Sequence, residues 1–432
     1  MESKDVLKDV NNPQLCHILM KFILRMKPTP LIRFITYIYA TAKTFTLTEG
    51  RRNRVGGVLI AAVCQWQTFC WPNRLRQGNM FSPLRITSIT HIKYIPFILP
   101  MLIILLNLSG CTERYQRFSA SPILLFDTIV SFSGYADNDE EAFMAYATIV
   151  YERLEELHRY FDIFNSYDGI NNIYTINANA GIQPVPVGQD IINLLLAAQE
   201  SYHLTGGMTN VVLGPVLRIW HEYRTGDSDA LPSLEVLKAA ALLTDISYMI
   251  IDEENSTVFM QIPGMSLDVG AIAKGFAAEL AMEAAINAGM NAMLLNAGGH
   301  IVVHGIPPGQ DAWNVGINNP SDLMMQQSAV ADIVTLTNST VSISGGYQRF
   351  FQVDGQAFGH IIDPATLFPA QRYQQVTVIH PVSWMADAIS TALFILPLDE
   401  GKALAAKIGA EALWIDLEGN WAFTPGYAEI FD

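Results

Sequence analysis

The chain has 432 residues, half of them hydrophobic, which allows two average domains, or one large domain with an extension, and a substantial core. Its net charge of −15 is unevenly divided: residues 1–110 carry 14 Lys/Arg against 4 Asp/Glu, and the remainder 12 against 37. So acidic a main part excludes nucleic-acid binding, which relies on neutralising phosphates, and because Cys16, Cys64, Cys70 and Cys111 are all N-terminal, it also excludes a disulfide framework or cysteine metal site beyond them.

Taking the chain in order, Tyr94 begins YIPFILPMLIILLNLSG, an apolar, uncharged run preceded by Arg85 and Lys93. It is short for a membrane span and fits the h-region of a secretory signal with a basic n-region. It closes on Leu108-Ser109-Gly110-Cys111, which resembles the bacterial lipobox, where small residues precede a cysteine that becomes acylated; an uncleaved signal anchor is the alternative. Met80 opens a normal signal sequence. The expected organisation is an over-long N-terminal extension at 1–79, a lipoprotein signal at 80–110, a tether at 111–122 anchored to lipid through Cys111, and the main domain at 123–432. That domain would lie outside the cytoplasm on a bacterial membrane, at the periplasmic face in a Gram-negative cell.

Within the main domain, residues 123–132 are β-rich and predict an early strand. Residues 138–161 predict a long amphipathic helix, with Asn138-Asp139-Glu140-Glu141 supplying an N-cap and acids at the positive end of the dipole. An aromatic and polar loop, Phe164-Asn165-Ser166-Tyr167-Asp168, follows. A second helix over 190–205 ends at Gly206-Gly207. A third spans 233–243, and two short strands at 249–252 and 257–262 read as a hairpin. The next stretch, Leu267-Asp268-Val269-Gly270-Ala271-Ile272-Ala273-Lys274-Gly275-Phe276, predicts a strand end, a tight Gly turn and a helix. Such junctions gather free N–H groups and a positive dipole end, and they attract anions. A strand over 292–296 runs into Ala297-Gly298-Gly299-His300, a further strand covers 301–304, and more follow up to Asn338. Strands and helices are interspersed without regular βαβ alternation, so the fold class is α+β.

The C-terminal third adds three candidate sites. Ser342-Ile343-Ser344-Gly345-Gly346-Tyr347-Gln348-Arg349 has a Gly pair between hydroxyls and an Arg. Gly359-His360-Ile361-Ile362-Asp363-Pro364 has a His and an Asp around two apolar residues. Ala386-Asp387-Ala388-Ile389-Ser390-Thr391 sets Asp387 and Thr391 four apart, on one helix face. A carboxylate and a hydroxyl on one face are hard oxygen donors suited to Mg²⁺. Taken singly, each of these sites has an ordinary structural explanation as a turn, a core histidine or a helix cap. The set together offers what a diphosphate with Mg²⁺ requires.

LDVGAIAKGFA, LLNAGGHI, SISGGYQRFF, GHIIDPATLFP and MADAISTALF resemble, in order, the motifs of the ApbE family, the FAD:protein FMN transferases. The earlier LLFDT, FNSYD and TGGMTNVVLGPVLRIWHEY also fit, so the resemblance covers essentially the whole of 123–432. It implies a two-lobed, tunnelling-fold-like α+β domain of mixed sheet and helices with FAD in a cleft. It implies cleavage of FAD and transfer of FMN to a Thr or Ser of an exported redox protein, typically a subunit of a membrane redox complex, with release of AMP. By the same resemblance Asp387 and Thr391 are Mg²⁺ side-chain ligands, and Ala271 gives a backbone carbonyl. His360 helps to activate the acceptor hydroxyl, and Asp363 shares its motif. Lys274 and the Gly298-Gly299 and Gly345-Gly346 turns cradle phosphates, while Asp127, Tyr167 and Asp268 contact or support FAD. The alternatives are an Mg²⁺-dependent FAD pyrophosphatase or a non-catalytic FAD-binding lipoprotein. Three positions depart from the family pattern: Asn210 in place of Asp, His300 after the Gly pair, and Ala365 in place of Arg.

Overall fold

The computed structural model describes residues 115–226, 230–320, 330–346 and 350–430. The extension, the signal and Cys111 lie outside these residues, as do Tyr347, Gln348 and Arg349. In chain order the elements are β1 (Phe118–Ser119), β2 (Ile123–Leu125), β3 (Thr128–Tyr135), α1 (Glu140–Phe161), α2 (Ile173–Ala178), β4 (Val185–Pro186), α3 (Gln189–Leu204), α4 (Gly214–Thr225), α5 (Leu234–Ala241), β5 (Met249–Asp252) and β6 (Thr257–Met260). They continue with α6 (Ala273–Asn287), β7 (Ala292–Ala297), β8 (His300–His304), β9 (Trp313–Asn318), β10 (Val330–Leu336), β11 (Ser339–Gly345), β12 (Phe350–Val353), β13 (Gln356–Gly359) and β14 (Tyr373–His380). The chain then forms α7 (Ser383–Ile395), α8 (Leu398–Ile408), β15 (Glu411–Asp416), β16 (Trp421–Phe423) and α9 (Tyr427–Ile430).

Nine strands make one antiparallel sheet in the order β1-β3-β7-β8-β11-β14-β15-β16, with β2 paired to β3. Side chains alternate between its faces. Met293, Leu295 and Ala297 of β7 meet α1 and α6 on one side, while Ala292 packs on the other. Further along the helix side, Val376 and Val378 of β14 and Ala412 and Trp414 of β15 pack against α7. The opposite face is closed by the β9–β10 hairpin, whose Val315, Ile317, Val334 and Leu336 meet Val341, Ile379, Leu413 and Ile415. The order is helices, sheet, hairpin. In α7, 10 of 13 residues are buried because the helix lies between the sheet, α6 and α8. A helix buried nearly all round is apolar nearly all round, so a carboxylate at Asp387 is out of pattern.

Interspersed helices and antiparallel strands are the expected α+β class. Three local expectations differ. The strand over 123–132 is instead the β2–β3 hairpin, since Phe126 and Asp127 turn the chain at φ 51° and 54°. That left-handed pair lets a two-residue turn match the strand twist, and a Phe does not advertise it. The long helix begins at Glu140, because Asn138 is left-handed and Asp139 is the cap, accepting from the N–H groups of Glu141 and Ala142. Residues 267–270 form no strand. The Asn177 side chain donates to the Leu267 carbonyl (3.0 Å) and accepts from its N–H (2.6 Å), taking the partners a neighbouring strand would supply.

Candidate active site

Helices α6 and α7 meet where Gly275 touches Asp387. The Gly275 N–H donates to Asp387 Oδ2 at 2.9 Å, and Ser383 Oγ donates back to the Gly275 carbonyl at 2.8 Å. A Cβ at position 275 would lie 2.6 Å from the Ser383 carbonyl oxygen and 2.7 Å from Asp387 Cβ, so only glycine permits this approach. One turn on, Glu279 accepts from the N–H groups of Ser383 (2.7 Å) and Trp384 (3.3 Å). Val382, the N-cap position of α7, offers no side chain for this, so α6 supplies the cap. Burial raises the Glu279 carboxyl pKa, and the two N–H donors offset that only in part.

Asp387 is 4% exposed. With Oδ2 engaged by Gly275, Oδ1 faces three groups: Lys274 Nζ at 3.3 Å, the Ser342 hydroxyl at 3.4 Å and His300 Nδ1 at 3.8 Å. Lys274 Nζ also reaches the Gly270 carbonyl at 3.3 Å, and Asp268 Oδ1 holds this turn by accepting from the Gly270 N–H. The ammonium therefore sits between a carboxylate and the backbone carbonyl next to Ala271. His300 is 1% exposed, and burial takes its pKa down to about 4; Asp387 opposes the shift and Lys274 adds to it. Its ring is therefore neutral at neutral pH, and its approach to Asp387 is no ion pair.

Strand β11 runs alongside α7 beyond this point. Ser342 and Ser344 hydrogen-bond Ser390, whose hydroxyl donates to the Asp387 carbonyl at 2.9 Å. Thr391 stands one turn beyond Asp387. Gly346 faces the Phe394 ring, and Gly359 packs on Gly346 closely enough that a Cβ would lie 3.2 Å from its Cα. His360 follows directly. The Asp363 carboxylate accepts from the Ala365 N–H at 2.8 Å within a turn pinned from α4, where Trp220 Nε1 donates to the Leu367 carbonyl.

At the other end of the junction, Gly298 (φ 61°) and Gly299 (φ 92°) turn β7 into β8 directly before His300. The Gly298 Cα packs on Thr128, beside Asp127 in the β2–β3 turn. Tyr167 lies in the loop after α1, where its hydroxyl donates to Asp162 Oδ2 at 2.7 Å. Burial disfavours the charged Asp162, but Asn165, the Phe164 N–H and Tyr167 outweigh it and hold this carboxyl below the usual range.

Residues 126–414 match the model of the ApbE family. The FAD:protein FMN transferase of Treponema pallidum (strain Nichols) is 34% identical over 256 residues, covering 56% of this chain and 69% of that protein. The FAD:protein FMN transferase of Klebsiella pneumoniae (strain 342) is 30% identical over 261 residues, covering 60% of this chain and 79% of the relative. The crystal structure of the ApbE protein of Thermotoga maritima superposes with a TM-score of 0.66 at 25% identity, over 73% of this chain and 99% of that one. The chain belongs to the ApbE family.

Among the ApbE motif residues, Lys274 and Asp387 come together directly. Ala271 adjoins the carbonyl that Lys274 binds, Gly346 lies against Phe394 farther along α7, and Gly345 pairs with Gln375 of β14. Asp268 orders the 268–270 turn. Asp127, Gly298 and Gly299 gather at the start of β3, while Tyr167 and Asp363 serve separate loops. The motifs did not single out Gly275, Glu279, Ser342, Ser383 or Asp162. The four-residue spacing of Gly275 and Glu279 was the available signal, since it puts both on one face of α6. The Asn210 departure has a local cause. Its Oδ1 accepts from the Val212 N–H while its Nδ2 donates to the Thr244 carbonyl, and an Asp could not do both.

Proposed function

We propose that this chain is an Mg²⁺-dependent FAD:protein FMN transferase, acting on a Thr or Ser hydroxyl of an exported redox protein. The observation that carries the reading is the buried Asp387, fixed through one oxygen by Gly275 and presenting the other to a cation. The donor chemistry fits Mg²⁺: the Asp387 carboxylate, the Thr391 hydroxyl and the backbone carbonyl of Ala271 are all hard oxygens. The Lys274 ammonium already bridges Asp387 and the neighbouring carbonyl at 3.3 Å each, so this pocket accepts positive charge. Among the described residues no group of three or more His, Cys, Asp or Glu is arranged around an ion.

When bound, Mg²⁺ would supply charge neutralisation at the pyrophosphate. The protein's own groups do the rest. Lys274, on its mobile side chain, turns from Asp387 to the phosphate oxygens as negative charge builds there. The N–H groups at the 268–270 turn and at the glycine pairs orient the diphosphate. His360 takes the proton of the acceptor hydroxyl, whose oxygen bonds to the FMN phosphorus as the bond to the AMP oxygen breaks. Asp162 holds Tyr167 in place for the flavin nucleotide.

Cys111, closing the apolar run from Tyr94, anchors the protein to the outer side of a membrane in the same reading. The test incubates the full chain with FAD, Mg²⁺ and a candidate acceptor, an exported redox subunit with a surface Thr or Ser. Covalent flavin fluorescence on a denaturing gel, with equimolar AMP, is the expected result. AMP with free FMN and a dark acceptor would make the protein a pyrophosphatase. Bound FAD with no AMP would make it a carrier. Retention of the full chain in the aqueous phase of a detergent partition would remove the anchor.

A further inference from the structure

His300 is one of the three departures from the family pattern, and its ring meets the proposed cation pocket. It is 1% exposed, and its Nε2 lies 2.8 Å from Ser383 Oγ. Ser383 has one hydroxyl hydrogen, which goes to the Gly275 carbonyl. The hydrogen between His300 and Ser383 therefore comes from Nε2, and Nδ1 carries the lone pair. Nδ1 is buried, has no hydrogen-bond partner and lies 3.8 Å from Asp387 Oδ1. A lone pair facing a carboxylate oxygen out of water is repulsive unless positive charge lies between them.

The spacing suits a shared cation. Two donors each about 2.1 Å from one ion are about 3.0 Å apart at a right angle and about 4.2 Å apart when opposite. The observed 3.8 Å falls inside that window. The ring is also held in place. The Gly298-Gly299 turn is braced by the Gly299 N–H on Asn296 Oδ1 at 3.0 Å, and the far nitrogen is tied to Ser383. A hydrogen bond on the distal nitrogen is what orients a ligating imidazole.

We propose that His300 Nδ1 is a nitrogen ligand to the cation bound by Asp387, so that Mn²⁺ and Co²⁺ bind more tightly here than at an all-oxygen site while Mg²⁺ still binds and supports turnover. This rests on the cation site proposed above and adds to it. Imidazole nitrogen favours first-row transition metals, whereas an all-oxygen set with waters suits Mg²⁺. The residue that follows the Gly pair thus sets how tightly transition metals bind.

The test loads the full, metal-stripped chain with Mn²⁺ and records pulsed EPR for directly coupled ¹⁴N, alongside Mn²⁺ and Mg²⁺ affinities by calorimetry. The expected result is a strong imidazole ¹⁴N coupling that vanishes in His300→Asn. The ratio of Mn²⁺ to Mg²⁺ affinity should fall on the order of 10–100-fold in that variant while Mg²⁺ binding persists. If Mn²⁺ binds the wild type, is lost in Asp387→Asn and shows no ¹⁴N coupling, the cation site stands and His300 is not its ligand. A coupling that survives His300→Asn belongs to another histidine and has the same meaning. If the wild type binds neither ion, or Asp387→Asn binds both as before, the cation site itself is wrong and the proposal goes with it. If His300→Asn does not fold, His300→Gln takes its place, and a wild type that binds Mn²⁺ without ¹⁴N coupling overturns the assignment in either case.

Discussion

The N–H of Gly275 donates to Asp387 Oδ2 at 2.9 Å, joining residues 112 apart in the chain and aiming the other carboxylate oxygen at Lys274. A charge buried in an apolar helix is costly unless hydrogen-bonded, so this contact lets a carboxylate sit in α7. It also orients that carboxylate. The cap from Glu279 and the Ser383 bond to Gly275 tie the same two helices, so the site rests on a rigid joint.

Gly275→Ala tests the joint. The added methyl would meet the Ser383 carbonyl oxygen at 2.6 Å and Asp387 Cβ at 2.7 Å, both backbone-linked atoms with little room to give. A loss of about 1–3 kcal/mol in urea unfolding is expected, with a larger loss of turnover because Asp387 is displaced. Wild-type stability and turnover in this variant would mean that the helices are not held at this point.

Glu279→Ala removes the cap of α7 without touching Asp387. Stability should fall by about 1–2 kcal/mol, measured by chemical denaturation, with FAD turnover reduced less than in Gly275→Ala.

His300 gives a pH signature in the metal-free protein. Its pKa is about 4 when folded against 6.5 for the free side chain, so the unfolded chain takes the proton first on acidification. Stability from this group is intact above about pH 6.5, declines as pH falls and levels off below about pH 4, for a total of about 3 kcal/mol. Unfolding free energies measured from pH 7 to 4 should show this slope in the wild type and not in His300→Asn.

Tyr167→Phe deletes the hydroxyl that Asp162 holds at 2.7 Å. A stability loss of about 0.5–1.5 kcal/mol is expected, together with a higher KM for FAD and little change in kcat. A fall in kcat at unchanged KM would place Tyr167 in the chemistry instead.

The order of the motifs was legible because each carries its residues locally: Lys274 in a turn, Asp387 and Thr391 on one helix face, glycines at strand ends. The partners that make them a site were not, because they lie far off in the chain. Nothing near Asp387 announces Gly275, and nothing near Leu267 announces that Asn177 will occupy its backbone groups across 90 residues. Phe126 and Asp127 hid a hairpin because a Phe rarely takes the left-handed conformation and no glycine follows the Asp. The oddity of His300 was visible in the sequence, but its meaning depends on the approach of its ring to Ser383 and Asp387, which lie more than 80 residues away in the chain.

The most direct test of the account compares wild type and Asp387→Asn in FMN transfer from FAD across an Mg²⁺ titration, with melting temperatures measured alongside. Asn keeps an oxygen for the Gly275 N–H and loses the charge. Turnover should fall by about a thousandfold or more and Mg²⁺ dependence should disappear, with the melting temperature nearly unchanged. Turnover within tenfold of wild type, with the same Mg²⁺ dependence, would contradict it.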